Sequence, residues 1–406
     1  MKLLFVTNGH GEDRLALCLV RALGASLPGA EIRAVPLVGE GRLLEEAGIA
    51  VAGPRVRVPS GGLVRPTAGA VWRDLRAGLV RQFRRQMRFL REQAAWAQAA
   101  IAVGDTFCGW VAGRCLPDRP LILVATAKSV YIHGHSRLEV FWMRRRCQHV
   151  FARDEPTAED LRRRGVPASW EGNLMMDALD VTGRSPVAPG EGPVVALLPG
   201  SRDDAYINLG ALADCLEQLS RALAPSRQGL VGLVPLAPGL DRERALAVLA
   251  ERGWTRQVPA GPSPAAPAGG HDSAGTITVE KGAARLRIAW GMFGDVLLAA
   301  DLVIGLAGTA NEQAAGLGKP VVVFPGPGIQ FNPRFLKAQK RLLGDAVAVA
   351  PPDPAAVAAE AAAILADDAR RQRMGAAGRA RMGPPGAADR MAAVILRIWD
   401  ARTAHP

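Results

Sequence analysis

Val194-Val195-Ala196-Leu197-Leu198-Pro199-Gly200-Ser201-Arg202 decides the fold. Its apolar residues run from Val194 to Leu198 without alternation. That describes a strand buried on both faces, and such strands belong to parallel sheets covered by helices. Pro199-Gly200 stops the strand, and a helix is expected to start near Asp203 or Asp204. Ser201 is placed to cap that helix, while Arg202 offers a forked cation to a phosphate.

The same grammar recurs on both sides. Strands are expected at Leu3–Thr7, Glu31–Leu37, Ala100–Val103, Leu121–Ala125, His149–Ala152, Leu230–Val234, Thr276–Val279, Leu302–Gly305 and Pro320–Phe324. They are short, apolar throughout and mostly separated by helical patterns, which predicts an α/β chain of doubly wound parallel sheets. Pro and Gly crowd into 181–193, and such a polar stretch marks a linker. The expected organisation is one Rossmann-like domain over 1–180, a second over 193–384, and a last helix over 385–406. That helix, near Ala387–Arg402, packs on the first domain or on its own. The Pro/Gly-rich segment Val258–Gly275 reads as an excursion inside the second domain.

Composition narrows the function. The 406 residues carry a formal charge of +12, and 44 of the 50 basic residues are arginine, so an anionic partner is expected. Aromatics at 5% argue against a lectin-like or aromatic-cage protein. The cysteines, at 18, 108, 115, 147 and 215, are odd in number and lack a C-x-x-C, against a disulfide framework or a zinc ribbon. A reducing cytosol fits them. The apolar start, Leu3 to Val6, is too short for a signal peptide, and no apolar stretch approaches membrane-spanning length.

The first turn, Thr7-Asn8-Gly9-His10-Gly11-Glu12-Asp13, opens a helix. Gly9 and Gly11 let backbone amides approach a ligand. Arg14 stands where a dinucleotide fingerprint needs its third glycine, so a nicotinamide cofactor is disfavoured, and no cofactor is expected. Glu12 and Asp13 complement the helix dipole; alternatively His10 or Asp13 faces a substrate.

Leu197-Leu198-Pro199-Gly200-Ser201-Arg202 resembles the signature of lipid-A-disaccharide synthases, two-domain glycosyltransferases of the GT-B fold. Two further segments match in the same order. Gly172-Asn173-Leu174-Met175-Met176-Asp177 resembles that family's Gly-Asn/His-Pro-Leu-x-Asp segment, and Leu306-Ala307-Gly308-Thr309-Ala310-Asn311-Glu312-Gln313, followed by Gly318-Lys319-Pro320, its Ser-Gly-Thr-Ala-x-x-Glu…Pro motif. The departures are Ala205 at the acidic position after Ser-Arg, Leu174 for proline, and Gln313 where the glutamate stands, with Glu312 one place earlier. The resemblance implies two Rossmann-like doubly wound domains facing a cleft. It also implies a donor site for a UDP-sugar at Gly200, Ser201, Arg202, Gly308, Thr309, Ala310, Asn311, Glu312 and Gln313.

A diphosphate must be neutralised, and metal-dependent glycosyltransferases do so through Asp-x-Asp and a divalent ion. Asp203-Asp204 are adjacent, not alternating, so the charge falls to helix N-termini and Arg or Lys, and no metal is expected. An inverting transfer also needs a base for the acceptor hydroxyl. Asp105 ends the strand Ala100–Val103 at the edge where open α/β sheets bind ligands, and is the first choice, with His10 and Asp13 in reserve. Lys128 and Ser129 follow the next strand on the acceptor side; Lys128 could meet a phosphate. His133-x-His135 lacks an evident third metal ligand.

Arg65–Arg91 holds eight arginines and one acid, Asp74. Trp72, Leu75, Leu79, Phe83, Met87, Leu90 and Ala94 form one stripe at helical spacing, with most arginines off it. Such a helix either packs its stripe into a core or docks on anionic lipid through Trp72, Arg81, Arg84, Arg85 and Arg88. No nucleic-acid reader motif accompanies it. The expected function is an inverting, metal-independent transfer of a sugar from a UDP-sugar to a lipid-type acceptor, by a cytoplasmic protein peripheral on the inner face of the membrane. The alternatives are a UDP-sugar 2-epimerase of similar fold and a non-catalytic nucleotide-sugar or membrane-surface binding protein.

Overall fold

A computed structural model describes residues 1–55, 79–223, 229–257 and 275–404. Trp72 and residues 258–274 lie outside the described residues, as does the side chain of His10. The chain divides into two compact units, Met1–Ala178 with Pro384–Pro406, and Leu179–Gly383.

The first unit carries β1 (Lys2–Thr7), β2 (Glu31–Pro36), β3 (Ala50–Val51), β4 (Ala99–Gly104), β5 (Leu121–Ala125), β6 (His149–Phe151) and β7 (Ala168–Ser169). They form one parallel sheet in the order β3-β2-β1-β4-β5-β6-β7. The chain starts mid-sheet, winds one way, then crosses over β1 and winds the other, which places the topological switch point between β1 and β4.

Each strand feeds two cores, because successive side chains point to opposite faces. Leu3, Phe5, Ile101 and Val103 pack on one side with α1 (His10–Ser26), while Leu4, Val6, Ala100 and Ala102 pack on the other. Beyond α2 (Arg42–Glu46), that second face is covered by α3 (Leu79–Glu92), α4 (Thr106–Cys115), α5 (Arg137–Arg146) and α6 (Glu155–Arg163). Leu90 of α3 is fully buried, and Phe83, Met87 and, just past the helix, Ala94 pack against the same core, so the described part of the stripe faces inward. Arg81, Arg84, Arg85 and Arg88 lie on its exposed face. The unit's first pass ends in the single turn α7 (Leu174–Asp177), capped by Asn173, whose side chain accepts from the Met175 amide at 3.0 Å.

The second unit carries β8 (Val194–Leu198), β9 (Val231–Leu236), β10 (Thr255–Arg256), β11 (Gly275–Lys281), β12 (Ala284–Trp290), β13 (Leu302–Gly305), β14 (Val321–Val323) and β15 (Val347–Val349). Their order is β10-β11-β12-β9-β8-β13-β14-β15. Its helices are α8 (Asp204–Leu223), α9 (Arg242–Ala250), α10 (Phe293–Ala299), α11 (Thr309–Gly316), α12 (Pro333–Leu343), α13 (Pro354–Ala366) and α14 (Asp368–Met382).

One element departs from the expectation of parallel strands. β11 is antiparallel to both β10 and β12, forming an edge hairpin through Gly282, which sits at φ +57. β12 alternates Arg285 and Arg287 with buried Leu286 and Ile288, so its period-two pattern marks the half-solvated strand that hairpins favour.

Two buried or half-buried carboxylates fasten the connecting segments. The Asp295 carboxylate, 4% exposed, accepts from the Thr182 amide and hydroxyl at 3.0 Å and from the Gly183 amide at 2.9 Å, tying the linker to α10. After Gly383 the chain re-enters the first unit as α15 (Ala387–Ala404). Asp177 accepts from the Gly386 and Ala388 amides at 2.5 and 2.6 Å, satisfying two donors at that helix start. Ala387, Met391, Ala392 and Ile395 then join the α1 side of the core. No helix among the described residues is long and apolar enough to cross a membrane.

Candidate functional site

In the second unit, three neighbouring strands, β8, β13 and β14, end in glycine turns. Gly200 sits at φ +105, a conformation that disfavours any side chain. The Leu306 amide donates to the Leu198 carbonyl at 2.9 Å, and a Cβ on Gly200 would lie 3.8 Å from the Leu306 carbonyl oxygen, so the first two turns abut. The third, Pro325-Gly326-Pro327-Gly328, is pinned to the start of α8. Asn208, 3% exposed, donates to the Pro199 carbonyl at 3.0 Å and accepts from the Gly328 amide at 3.3 Å. Asp204 accepts from the Gln330 amide at 3.1 Å.

The turn at 305–308 is held from beneath. Gln339, 3% exposed, donates to the Ala307 and Gly308 carbonyls at 3.0 and 3.1 Å, and accepts from Asn311 at 2.9 Å. Asn311, fully buried, also donates to the Gly305 carbonyl at 3.2 Å. No side chain caps α11. Its first amides therefore have no acceptor within the helix, and its positive dipole end carries no side-chain cap from its N-cap residue. The Asn311 side-chain amide is engaged inside the fold, where it supports the turn. Glu312 and Gln313 are buried, at 8% and 7% exposure, whereas Gly308 and Ala310 are half-buried and Thr309 is exposed.

Ser201 stands two residues ahead of the position that would cap α8, since that helix opens at Asp204. Ser201, Arg202 and Asp203 are exposed, and Arg202 makes no ion pair with a described residue. Two neighbouring arginines were not singled out in the sequence. Arg244 lies 3.9 Å over the Tyr206 ring and 3.8 Å from Asp203; Arg242 lies 4.2 Å over the Trp290 ring at the end of β12. The Tyr206 hydroxyl accepts from the Asp241 amide at 2.7 Å. Only the strand order brings these side chains to the edge that carries Arg202.

In the first unit, the ends of β1 and β4 gather acids. Gly9, at φ +140, precedes α1, and the Thr7 hydroxyl donates to Asp13 at 2.5 Å. Asp13 is 2% exposed. Asp105 caps α4: its Oδ1 accepts from the Cys108 amide at 2.9 Å. The Cys108 thiol is pushed well above its usual range chiefly by burial, and further by the Asp105, Glu12 and Asp13 carboxylates.

Lys128 and Ser129 are less available than expected. The Lys128 ammonium donates to Glu139 at 2.7 Å, and Ser129, 1% exposed, accepts from the Tyr131 amide at 3.2 Å. Partial burial opposes ionisation of Glu139, but Lys128, the Ser136 amide and the Ser136 hydroxyl outweigh it and hold the carboxyl at about 2. His135 is buried, and burial lowers its titration below the ordinary imidazole range, while His133 is exposed, so the two rings do not share one environment. Among the described residues no three His, Cys, Asp or Glu side chains converge on a point that could hold an ion.

The Lys128–Glu139 pair makes a pH-dependent prediction. Because Glu139 titrates lower when folded than its usual 4.5, the stabilisation is present above about 4.5 and is lost as pH falls toward about 2. Lys128→Met should cost about 0.5–1 kcal/mol at neutral pH, a figure discounted for partial exposure. Urea unfolding should show that difference falling by roughly half at pH 3. An equal difference at both pH values would refute the pairing.

No protein-family profile matches the chain. A lipid-A-disaccharide synthase from Azoarcus sp. (strain BH72) is 32% identical over 168 residues, 40% of this chain but only 35% of that relative. One from Alkalilimnicola ehrlichii is 26% identical over 345 residues, 80% of this chain and 75% of the relative. Among solved structures, a Listeria monocytogenes protein described as a UDP-N-acetylglucosamine 2-epimerase superposes with TM-score 0.61 at 17% identity, over 98% of this chain and 97% of that one. The calicheamicin glycosyltransferase CalG4 does so with TM-score 0.61 at 19% identity, over 98% of each chain. The fold is GT-B, and the chain is related to lipid-A-disaccharide synthases. The UDP-GlcNAc 2-epimerase of Neisseria meningitidis, solved with UDP-GlcNAc bound, shares this GT-B architecture at TM-score 0.57 and 12% identity, over 98% of this chain and 99% of that one.

Proposed function

We propose that this GT-B protein is an inverting glycosyltransferase that moves a sugar from a UDP-sugar to a lipid-type acceptor at an anionic membrane surface. The observation that carries the donor side is the abutting pair of turns at Gly200 and Leu306–Gly308, one beside exposed Arg202 and the other opening onto the uncapped start of α11. A diphosphate is the ligand such a pair suits: bare amides and a helix dipole meet its oxygens, and Arg202 adds a forked cation. As the glycosidic bond to the leaving diphosphate breaks, those same groups stabilise the growing charge. Gly308, Thr309, Ala310 and Asn311 contribute main chain, and Glu312 or Gln313, in the first turn of α11, shares hydrogen bonds with the ribose hydroxyls.

For the acceptor, Asp105 is the base in this reading. Its Oδ1 holds the α4 cap, leaving Oδ2 to take the hydroxyl proton. Asp13 and His10 are the reserves, and Gly9 and Gly11 leave the main chain open on that side. The lipid-type acceptor follows the sequence relationship and the exposed arginines of α3. A UDP-sugar 2-epimerase is the second reading, favoured by the likeness in fold to UDP-N-acetylglucosamine 2-epimerases and by the acids Asp13 and Asp105 after β1 and β4. Conversion of UDP-N-acetylglucosamine to its epimer without any acceptor would select it.

The donor assignment is tested by thermal shift. UDP is expected to raise the unfolding temperature, NAD and ATP are not, and the UDP effect should survive EDTA. Stabilisation by NAD alone, or loss of the UDP effect on chelation with recovery in manganese, would overturn it.

A further inference from the structure

We infer that His135 is a positioning residue: its buried, uncharged ring holds the loop between β5 and α5 against the start of α4, and acid releases that loop. The inference deepens the transferase reading and rests on it for its purpose, because the loop carries Lys128 and Ser129 and starts beside Asp105. The Thr126 amide donates to the carbonyl of Gly104, the residue before Asp105, at 3.0 Å. Within the loop, the Ile132 and His133 amides donate to the Ser129 carbonyl at 3.0 and 2.8 Å, closing a turn. Two anchors hold that turn. One is Val130, whose amide donates to the Thr157 hydroxyl oxygen of α6 at 3.0 Å. The other is His135.

The His135 side chain is 1% exposed and meets three helices. Its Nδ1 faces the Thr106 hydroxyl of α4 at 3.5 Å and the Glu139 carboxylate of α5 at 4.0 Å. Its main-chain carbonyl accepts from Arg164, just past the end of α6, at 2.8 Å. Its Nε2 is buried and has no hydrogen-bond partner among the described residues. A neutral imidazole tolerates this, because one nitrogen can remain a bare lone pair. An imidazolium does not. Both nitrogens are then donors, and Nε2–H becomes a buried, charged donor without an acceptor.

The surrounding charges do not relieve that state. Glu139 Oε2 already accepts from the Lys128 ammonium and the Ser136 amide, each at 2.7 Å, and 4.0 Å to Nδ1 is outside hydrogen-bond range. Asp160 is engaged by Arg164 at 3.0 Å. Asp105, next to Thr106, accepts from the Cys108 amide, and Asp154, at the start of α6, accepts from the Thr157 amide and hydroxyl at 2.9 and 2.5 Å. Lys128 and Arg164 oppose a further positive charge, and His133, on the loop itself, is exposed. Burial is the largest influence; with the two cations it outweighs Glu139 and Asp160, so His135 takes up its proton below the ordinary imidazole range. The closed loop therefore favours the neutral ring. Its hold is complete well above pH 6.5 and weakens as pH falls below that value.

The test is backbone amide exchange of the full chain at about pH 7.5 and 5.5, with rates corrected for the intrinsic pH dependence of exchange. Opening at the Ile132 and His133 amides should rise several-fold at the lower pH, within the limit of about ten-fold per pH unit that one proton sets, while the β5 amides keep their protection. Glu139, held at about 2, stays ionised across this range, so loss of its pair with Lys128 cannot supply the change. His135→Phe keeps a ring but takes no proton, and its corrected exchange should be the same at both pH values. His135→Gln, also unable to ionise, gives the same comparison where the phenylalanine variant does not fold. Exchange in wild type that is independent of pH overturns the inference. So does an equal pH response in a folded His135 variant, or a matching loss of protection in β5, because the opening is then not the loop's own. The measurement needs neither donor nor acceptor, so UDP-induced thermal shift on the same samples keeps the two readings apart. Acid opening with no UDP shift retains the latch and removes the transferase; a UDP shift with exchange independent of pH does the reverse.

Discussion

Alanine at Gly305 is expected to destabilise the second unit by about 3 kcal/mol and to abolish UDP binding. A Cβ there would lie 1.9 Å from the Asn311 Oδ1 atom and 2.7 Å from its Cγ. Asn311 is fully buried, so it has no open space to rotate into. Displacing it breaks its hydrogen bonds to the Gly305 carbonyl and to Gln339, which in turn positions the Ala307 and Gly308 carbonyls. Overpacking costs about 1–3 kcal/mol and each orphaned buried polar group a similar amount. For a unit of this size, about 3 kcal/mol corresponds to a fall of roughly 6–12 °C in unfolding temperature. Gly239→Ala is the control: a Cβ there would meet nothing within 4 Å, and its φ lies outside the left-handed region. Calorimetry of both variants, with and without UDP, checks the argument. A Gly305→Ala protein as stable as wild type would show that the turn is not held through Asn311. Removing the Asn311 side chain as well should return part of the lost stability.

Arg202→Ala is expected to weaken UDP binding about thirty-fold while leaving the fold intact. The side chain is exposed and makes no ion pair with a described residue, so its loss should change stability by about 0.5 kcal/mol or less. A hydrogen bond to a charged group contributes about 1.5–3 kcal/mol, and about 2 kcal/mol corresponds to that factor. Arg202→Lys should recover part of the affinity, since lysine keeps the charge but loses the planar fork. Titration calorimetry with UDP measures all three proteins. An Arg202→Ala affinity equal to wild type would remove the arginine from the donor site and pass its role to Arg242 or Arg244.

Strand legibility followed burial. β5, β8 and β13 match their sequence boundaries residue for residue, since a run buried on both faces is unbroken and ends abruptly at Pro, Gly or Asp. The two-residue strands β3, β7 and β10 carry no pattern to find; neighbouring strands recruit them at the sheet edges. β12 did carry a signal, the alternation of Arg285 and Arg287 with Leu286 and Ile288, but a search for unbroken apolar runs passes over it.

The candidate site divides along the same line. The turns at 199–202 and 306–310 were visible because glycine and proline are backbone instructions, read locally. The sequence also settled the class of fold, since non-alternating strands spaced by helices have few other solutions. What neighbours what was decided by the tertiary structure alone. It assigned Asn311 and Gln339 to holding up a turn, paired Lys128 with Glu139, turned Asp105 into a helix cap, and carried Arg242 and Arg244 to the edge that bears Arg202. A side chain's availability depends on groups that lie far along the chain, as Gln339 lies 28 residues from Asn311. Hydrogen bonds and ion pairs of that kind act over a few ångströms of space, and chain order does not encode that distance until the sheet has formed.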